Sequence, residues 1–119
     1  MADYHLGEAE SRFAELIWEQ EPLSSRFLAE LAAEKLSWKR TTTYTVLKRL
    51  CDRGLFQNRE GMVTSLVRRE EFYTKRSQQF VADTFQGSLP AFLAAFGNGK
   101  KLSDGELDEL QKIIDGMRR

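Results

Sequence analysis

Arg40-Thr-Thr-Thr-Tyr-Thr-Val-Leu-Lys-Arg-Leu-Cys-Asp-Arg-Gly-Leu55 reads as one amphipathic helix closed by a glycine. At 100° per residue, Thr43, Val46, Leu47 and Leu50 gather on one face, the spacing of a stripe that packs onto a core. The opposite face carries Thr41, Thr45, Lys48 and Asp52, with Tyr44 and Arg49 on its flanks. A threonine hydroxyl donates or accepts, and its methyl suits a thymine methyl. Lysine and arginine pair with guanine edges or phosphates. On a single helix such a face is also that of an ordinary solvated surface, so its meaning depends on the surrounding chain.

The surroundings are informative. With 119 residues, the chain has room for one average domain or a small one with an appendage. Its 41% hydrophobic content suits a folded globule. No apolar run approaches the roughly 20 residues of a membrane span. The opening Met-Ala-Asp-Tyr-His-Leu has no basic region followed by an apolar core, so a secretory signal is not expected. Cys51 is the single cysteine and His5 the single histidine, too few for an internal disulfide or a zinc site. A reduced, cytoplasmic setting with no metal and no cofactor is the expectation.

Net charge is zero, but its distribution is uneven. Residues 1–38 carry three Lys or Arg against eight acids, a balance of −5. Residues 39–76 carry ten against four, +6, and residues 77–119 five against six, −1. The positive charge therefore surrounds the threonine-rich helix, the footprint expected for phosphate contact.

Two helices precede it. Residues 8–20 place Ala9, Phe13, Leu16 and Ile17 at helical spacing, with Leu6 as a staple before them and Pro22 as a stop. Ser24 or Ser25 caps a second helix over about 25–35 that buries Phe27 or Leu28, Leu31 and Ala32. Leu36-Ser37-Trp38 connects it to the third, and Gly54 stands where a C′ glycine belongs. Leu55–Arg59 and Met62–Val67 then form two β-leaning runs joined across Glu60-Gly61, a hairpin pattern. Three helices and a hairpin, with the third helix facing outward, form the winged helix-turn-helix plan. Arg59, at the hairpin tip with Asn58, is placed to meet a phosphate.

The remainder is helical. From roughly 70 to 86, Tyr73, Phe80, Val81, Thr84 and Phe85 line a stripe. Ser88 caps a short apolar segment containing Phe92 and Phe96, with Pro90 in its first turn. Ser103-Asp-Gly-Glu106 is a capping box ahead of a seam of Leu107, Leu110, Ile113, Ile114 and Met117. About 50 residues make a poor core alone. Either the tail folds back, or it pairs with a second copy, and pairing is favoured because apolar stripes on short helices mark oligomer interfaces. The expected fold is mainly α with a small β-hairpin: a winged helix-turn-helix DNA-binding domain over residues 1–70 and a helical dimerisation region over 71–119. The dimer contacts are assigned to Tyr73, Phe80, Phe85, Phe92, Phe96, Leu107, Leu110 and Ile114.

The sequence resembles the penicillinase-repressor family of bacterial transcription regulators, of the BlaI, MecI and CopY type, across residues 6–117. Leu6-Gly-Glu-Ala-Glu10 with Leu16-Ile-Trp18 resembles its opening helix. Thr42–Leu50 with Arg53-Gly-Leu55 resembles its recognition helix. Gly87-Ser-Leu89, Leu102-Ser103 and Glu106–Leu110 resemble its dimerising tail. The resemblance implies a homodimer that represses transcription from a palindromic or inverted-repeat operator of double-stranded DNA, with the third helix, about 39–53, in the major groove. By that analogy Lys39, Arg40, Thr41, Thr42, Tyr44, Thr45 and Lys48 face DNA, and Arg59 is the wing contact. Lys39 stands where the family commonly has a capping Ser or Thr, which would move the cap to Ser37. The copper-responsive branch needs a C-terminal cysteine cluster that this sequence lacks. The β-lactam-responsive branch is cut by a regulatory protease at an Asn-Phe bond, whose matching position here is Ala95-Phe96.

Trp18 and Trp38 read as packing residues, Cys51 as an inert small hydrophobe beside the apolar face, and His5 as idle. No catalytic constellation is visible, so an enzyme is not expected. Two further readings stay open: a winged helix that docks a protein partner, and one regulated by a small ligand held near the Phe-rich segment 72–96.

Overall fold

The computed structural model describes residues 4–118. In chain order it contains α1 (Glu8–Gln20), β1 (Leu23–Ser24), α2 (Ser25–Leu36), α3 (Arg40–Asp52), β2 (Phe56–Arg59), β3 (Met62–Ser65), α4 (Arg69–Phe85), α5 (Leu89–Asn98) and α6 (Asp104–Met117). Among the described residues the chain divides into two compact units, with the boundary between Gln79 and Phe80.

The first unit is built on α1. Phe13, Ala14 and Ile17 are buried on its inner face, and Leu6 is buried just ahead of it. Ala9, expected in this stripe, is exposed, and Ala14 takes its place. Helix α2 starts at Ser24, whose hydroxyl accepts the Phe27 N–H at 3.0 Å. It buries Leu28, Ala29 and Ala32, while Phe27 points outward. Ser37 is not the cap of α3. It ends α2 in the left-handed region at φ 58°, and its successor Trp38 returns its N–H to the Ala32 carbonyl. Lys39 is the N-cap of α3 and makes no capping side-chain bond.

Helix α3 buries Thr43, Val46, Leu47 and Leu50, the four positions that its periodicity selects. Gly54, at φ 82°, stops it. The Gly54 N–H bonds the Cys51 carbonyl at 2.9 Å and the Leu55 N–H bonds the Leu50 carbonyl at 3.1 Å. This pair of bonds is a Schellman closure, and the contact that usually accompanies it falls between Leu50 and Leu55, both buried.

The expected hairpin is present but shorter, pairing Phe56 with Ser65 and Arg59 with Met62. Its two-residue turn has positive φ at both Glu60 (53°) and Gly61 (83°), as a type I′ connection requires. A third strand, β1, was not anticipated. Leu23 pairs with Val63 and Ser24 with Met62, giving an antiparallel sheet ordered β1-β3-β2. Leu23, Phe56 and Val63 close the core from this side. Phe13, Phe56 and Phe72 are fully buried, each contributing about 1.5–3 kcal/mol relative to exposure.

The tryptophans pack as expected. The Trp38 ring lies 5.0 Å from that of Phe13. Trp18 contacts the rings of Phe56, Phe72 and Tyr73, and its indole N–H donates to the Val67 carbonyl at 3.0 Å. Tyr73, assigned to the dimer stripe, stands here instead. Its ring meets Trp18 and Phe72, and its hydroxyl donates to Glu15 at 2.8 Å. The first turns of α4 face the core of the first unit, which places Tyr73 beside Trp18 and Phe72.

The second unit holds the end of α4 with α5 and α6. Ser88 caps α5 by accepting the Ala91 N–H, and the Ser103–Glu106 capping box opens α6. The rings of Phe80, Phe85 and Phe92 meet edge to face at 5.5–6.0 Å, and Phe92 continues to Phe96 at 6.1 Å. Neither α5 nor α6 buries a single residue, and Met117 is 70% exposed.

Candidate nucleic-acid interface

The apolar seam of α3 is turned into the core, so its other side faces solvent. Lys39, Arg40, Thr41, Thr42, Tyr44, Thr45 and Lys48 are all exposed. The structure thus brings the seven residues together on one helix and the turn before it. Arg59 is exposed at the end of β2, next to the hairpin turn. Among the described residues, Lys39, Arg40 and Arg59 have no ion-pair partner.

Hydroxyl geometry refines what this face can offer. Thr45 Oγ1 donates to the Thr41 carbonyl one turn back, at 2.9 Å. Its proton is committed to the backbone, which leaves oxygen lone pairs and the methyl facing outward. Thr43, the buried member, makes the corresponding bond to the Lys39 carbonyl at 3.3 Å, so its polar atom is satisfied inside the core. Lys48 Nζ lies 3.0 Å from Asp52 Oδ2.

Two of the positive side chains on this segment face elsewhere. Arg49 Nη1 donates to Glu10 Oε2 at 3.1 Å, and Arg53 Nη2 donates to the His5 carbonyl at 2.6 Å. Position 5 thus supplies a backbone acceptor that its imidazole gave no reason to expect. Glu10 Oε1 also accepts the Gly7 N–H at 3.1 Å. That backbone bond, with the Arg49 and Arg53 charges, holds the Glu10 carboxyl below the ordinary carboxylate range despite partial burial. The Arg49–Glu10 and Arg53–His5 links join residues 39 and 48 positions apart, beyond the reach of any local pattern.

Near α4, Glu15 receives Arg69 Nε at 2.8 Å and the Tyr73 hydroxyl, and Glu21 accepts both the N–H and the hydroxyl of Ser65 at 2.8 Å. Glu21 therefore ties the end of α1 to the strand carrying the wing. Burial pushes the Cys51 thiol above its usual pKa, the reverse of what a reactive thiolate needs. Among the described residues no group of His, Cys, Asp or Glu is arranged to hold a metal ion. No helix among them is long and apolar enough to cross a membrane.

Three helices, a small antiparallel sheet whose β2–β3 hairpin forms a wing, and an outward third helix of hydroxyls and cations define a winged helix-turn-helix protein. The profile of the penicillinase repressor family matches residues 6–116, and the chain belongs to that family. It is 24% identical over 116 residues to the methicillin resistance regulatory protein MecI of Staphylococcus aureus (strain Mu50 / ATCC 700699), covering 94% of each chain. It is likewise 24% identical over 114 residues to the penicillinase repressor of Bacillus licheniformis, covering 92% of this chain and 89% of the relative. Members of the family are transcriptional repressors and not enzymes, and this chain is a transcription regulator of that kind.

Proposed function

We propose that the chain acts as a homodimer that represses transcription by occupying a palindromic or inverted-repeat DNA operator. In this reading α3 enters the major groove and the β2–β3 wing lies along the backbone. Lys39, Arg40 and Arg59 contact phosphates and fix the register. Thr41, Thr42, Tyr44, Thr45 and Lys48 face the base edges. The observation that carries it is the sorting of α3: every apolar residue in its packing seam is buried, and the residues suited to reading DNA are exposed.

The homodimer reading rests on the second unit. Phe80, Phe96, Leu107 and Ile114 are each 41–49% exposed, a large apolar surface for helices this short. Phe85, Phe92 and Leu110 lie partly buried beside them. A second copy of the same surface covers it with two-fold symmetry, which matches an inverted repeat. Ala95 and Phe96, the counterpart of the bond cut in the β-lactam-responsive branch, lie within α5. Cutting there by a regulatory protease would divide the tail and release the operator.

Binding of the full chain to the DNA upstream of its own gene tests the reading, with an unrelated duplex as competitor across a salt series. A steep fall of affinity with salt and a clear preference for the promoter are expected. A salt slope near zero, or capture of a protein partner unaffected by duplex DNA, would favour the adaptor reading instead.

A further inference from the structure

We infer that Glu10 and Arg49 are positioning residues that fix the rotation of α3 about its own axis, and that Arg49 is not one of the DNA contacts. The inference rests on the DNA reading above. The buried side of α3 is aliphatic apart from Thr43, and such a seam sets the distance of the helix from the core more firmly than its roll. The side chains reach about 5–6 Å from the axis, so a roll of about 10° moves their tips by about 1 Å, more than a base contact tolerates. A directional, charged tether on one flank removes that freedom.

Glu10 and Arg49 form such a tether. Glu10 is carried on α1, its side chain is 20% exposed, and its two oxygens are held separately by the Gly7 N–H and by Arg49 Nη1, each at 3.1 Å. The acceptor is therefore fixed before Arg49 reaches it. On the helical wheel Arg49 stands on the same flank as Thr42, beside the outward face. Its side chain is 55% exposed, so without Glu10 it would be free to swing toward a phosphate. Engaged, it supplies orientation and little electrostatic attraction to DNA, because its charge is already matched by the carboxylate.

Anisotropy of a labelled duplex, measured with the full chain on operator and unrelated DNA over a salt series, separates positioning from contact. Glu10→Gln is expected to weaken operator binding about tenfold, the equivalent of one base contact, while unrelated DNA is bound as well or better. Arg49→Ala is expected to lower operator preference with an unchanged salt slope, and Arg49→Lys, which keeps the pair, to retain the preference within about threefold. If Arg49→Ala instead reduces the slope by about two units in the dimer and weakens both duplexes equally, Arg49 is a phosphate contact and the inference fails. Retained discrimination in Glu10→Gln also overturns it. Should Glu10→Gln not fold, the two Arg49 variants decide alone. A wild-type chain with neither preference nor salt dependence would sink the DNA reading itself, a result distinguishable from these.

Discussion

Lys48 and Asp52 form an ion pair, Nζ to Oδ2 at 3.0 Å, one turn apart on the outward side of α3. Both side chains are well exposed, at 77% and 65%, so the pair adds little to stability, about 0.3–0.5 kcal/mol. Its larger effect is on charge. Asp52 carries a negative group on the surface assigned to DNA and occupies the ammonium of Lys48 while the chain is free. Asp52→Asn is expected to leave the unfolding midpoint almost unchanged and to raise affinity for unrelated duplex DNA more than for the operator. Equal gains on both duplexes would count against a role for Asp52 in discrimination.

In the proposed complex Thr45 would offer the operator an acceptor and a methyl group, since its proton goes to the Thr41 carbonyl. Thr45→Val keeps the shape and removes the oxygen. A loss of about 1–3 kcal/mol confined to one base-pair position is expected, read from affinities for single-base operator variants. The same loss on every duplex would show that Thr45 supports the helix and reads no base.

Gly54 holds φ 82°, and a Cβ built there meets nothing within 4 Å. Gly54→Ala is therefore penalised by backbone conformation alone, by about 1–2 kcal/mol in thermal unfolding. Gly54→Asn is expected to recover part of that loss, because asparagine tolerates the left-handed region. A penalty well beyond this range would reveal a steric clash that the geometry excludes.

Acid conditions test the Glu10 tether from another side. The Glu10 carboxyl is held below its unfolded value, first by the Gly7 N–H and also by Arg49 and Arg53. Its contribution is therefore full above the unfolded pKa, near the ordinary 4.5, and is lost as pH falls through the lower folded value. Denaturant midpoints of wild type and Glu10→Gln are expected to differ at neutral pH and to converge as the pH falls through the lowered folded value. Parallel curves down to acid pH would remove the carboxylate from the account.

The tail is tested by Ile114→Asp. Ile114 is 41% exposed on α6, and a charge there opposes apolar pairing of the tail. Sedimentation is expected to show a dimer-to-monomer shift at micromolar concentration, with operator binding weakened at least tenfold as the second half-site is lost. An unchanged dimer would move the interface elsewhere.

The legibility of the fold varied with the range of the forces that build it. Val46, Leu47 and Leu50 were readable because a 3.6-residue period is a local property, as were the Gly54 and Ser103 end signals and the choice of Ser24 or Ser25 as the α2 cap. Strand β1 was not, since Leu23–Ser24 is too short to carry an alternation and is ordered only by pairing with Met62 and Val63. The packing of Tyr73 with Trp18 and Phe72 was not legible either, since a single stripe along α4 does not show that its two ends belong to different units. The exposed side of α3 followed from its periodicity, whereas the Glu10–Arg49 and Glu21–Ser65 ties join distant segments and leave no trace in spacing.

The placement of the aromatic residues has an experimental corollary. Both tryptophans and all three tyrosines of the sequence fall at or before Tyr73, within the first unit, while the second contains only phenylalanine among aromatic types. Intrinsic emission therefore arises from side chains of the winged half, whereas far-ultraviolet ellipticity sums over every helix. Recording both signals in one urea titration would isolate the tail's own transition by difference, with no label and no truncation.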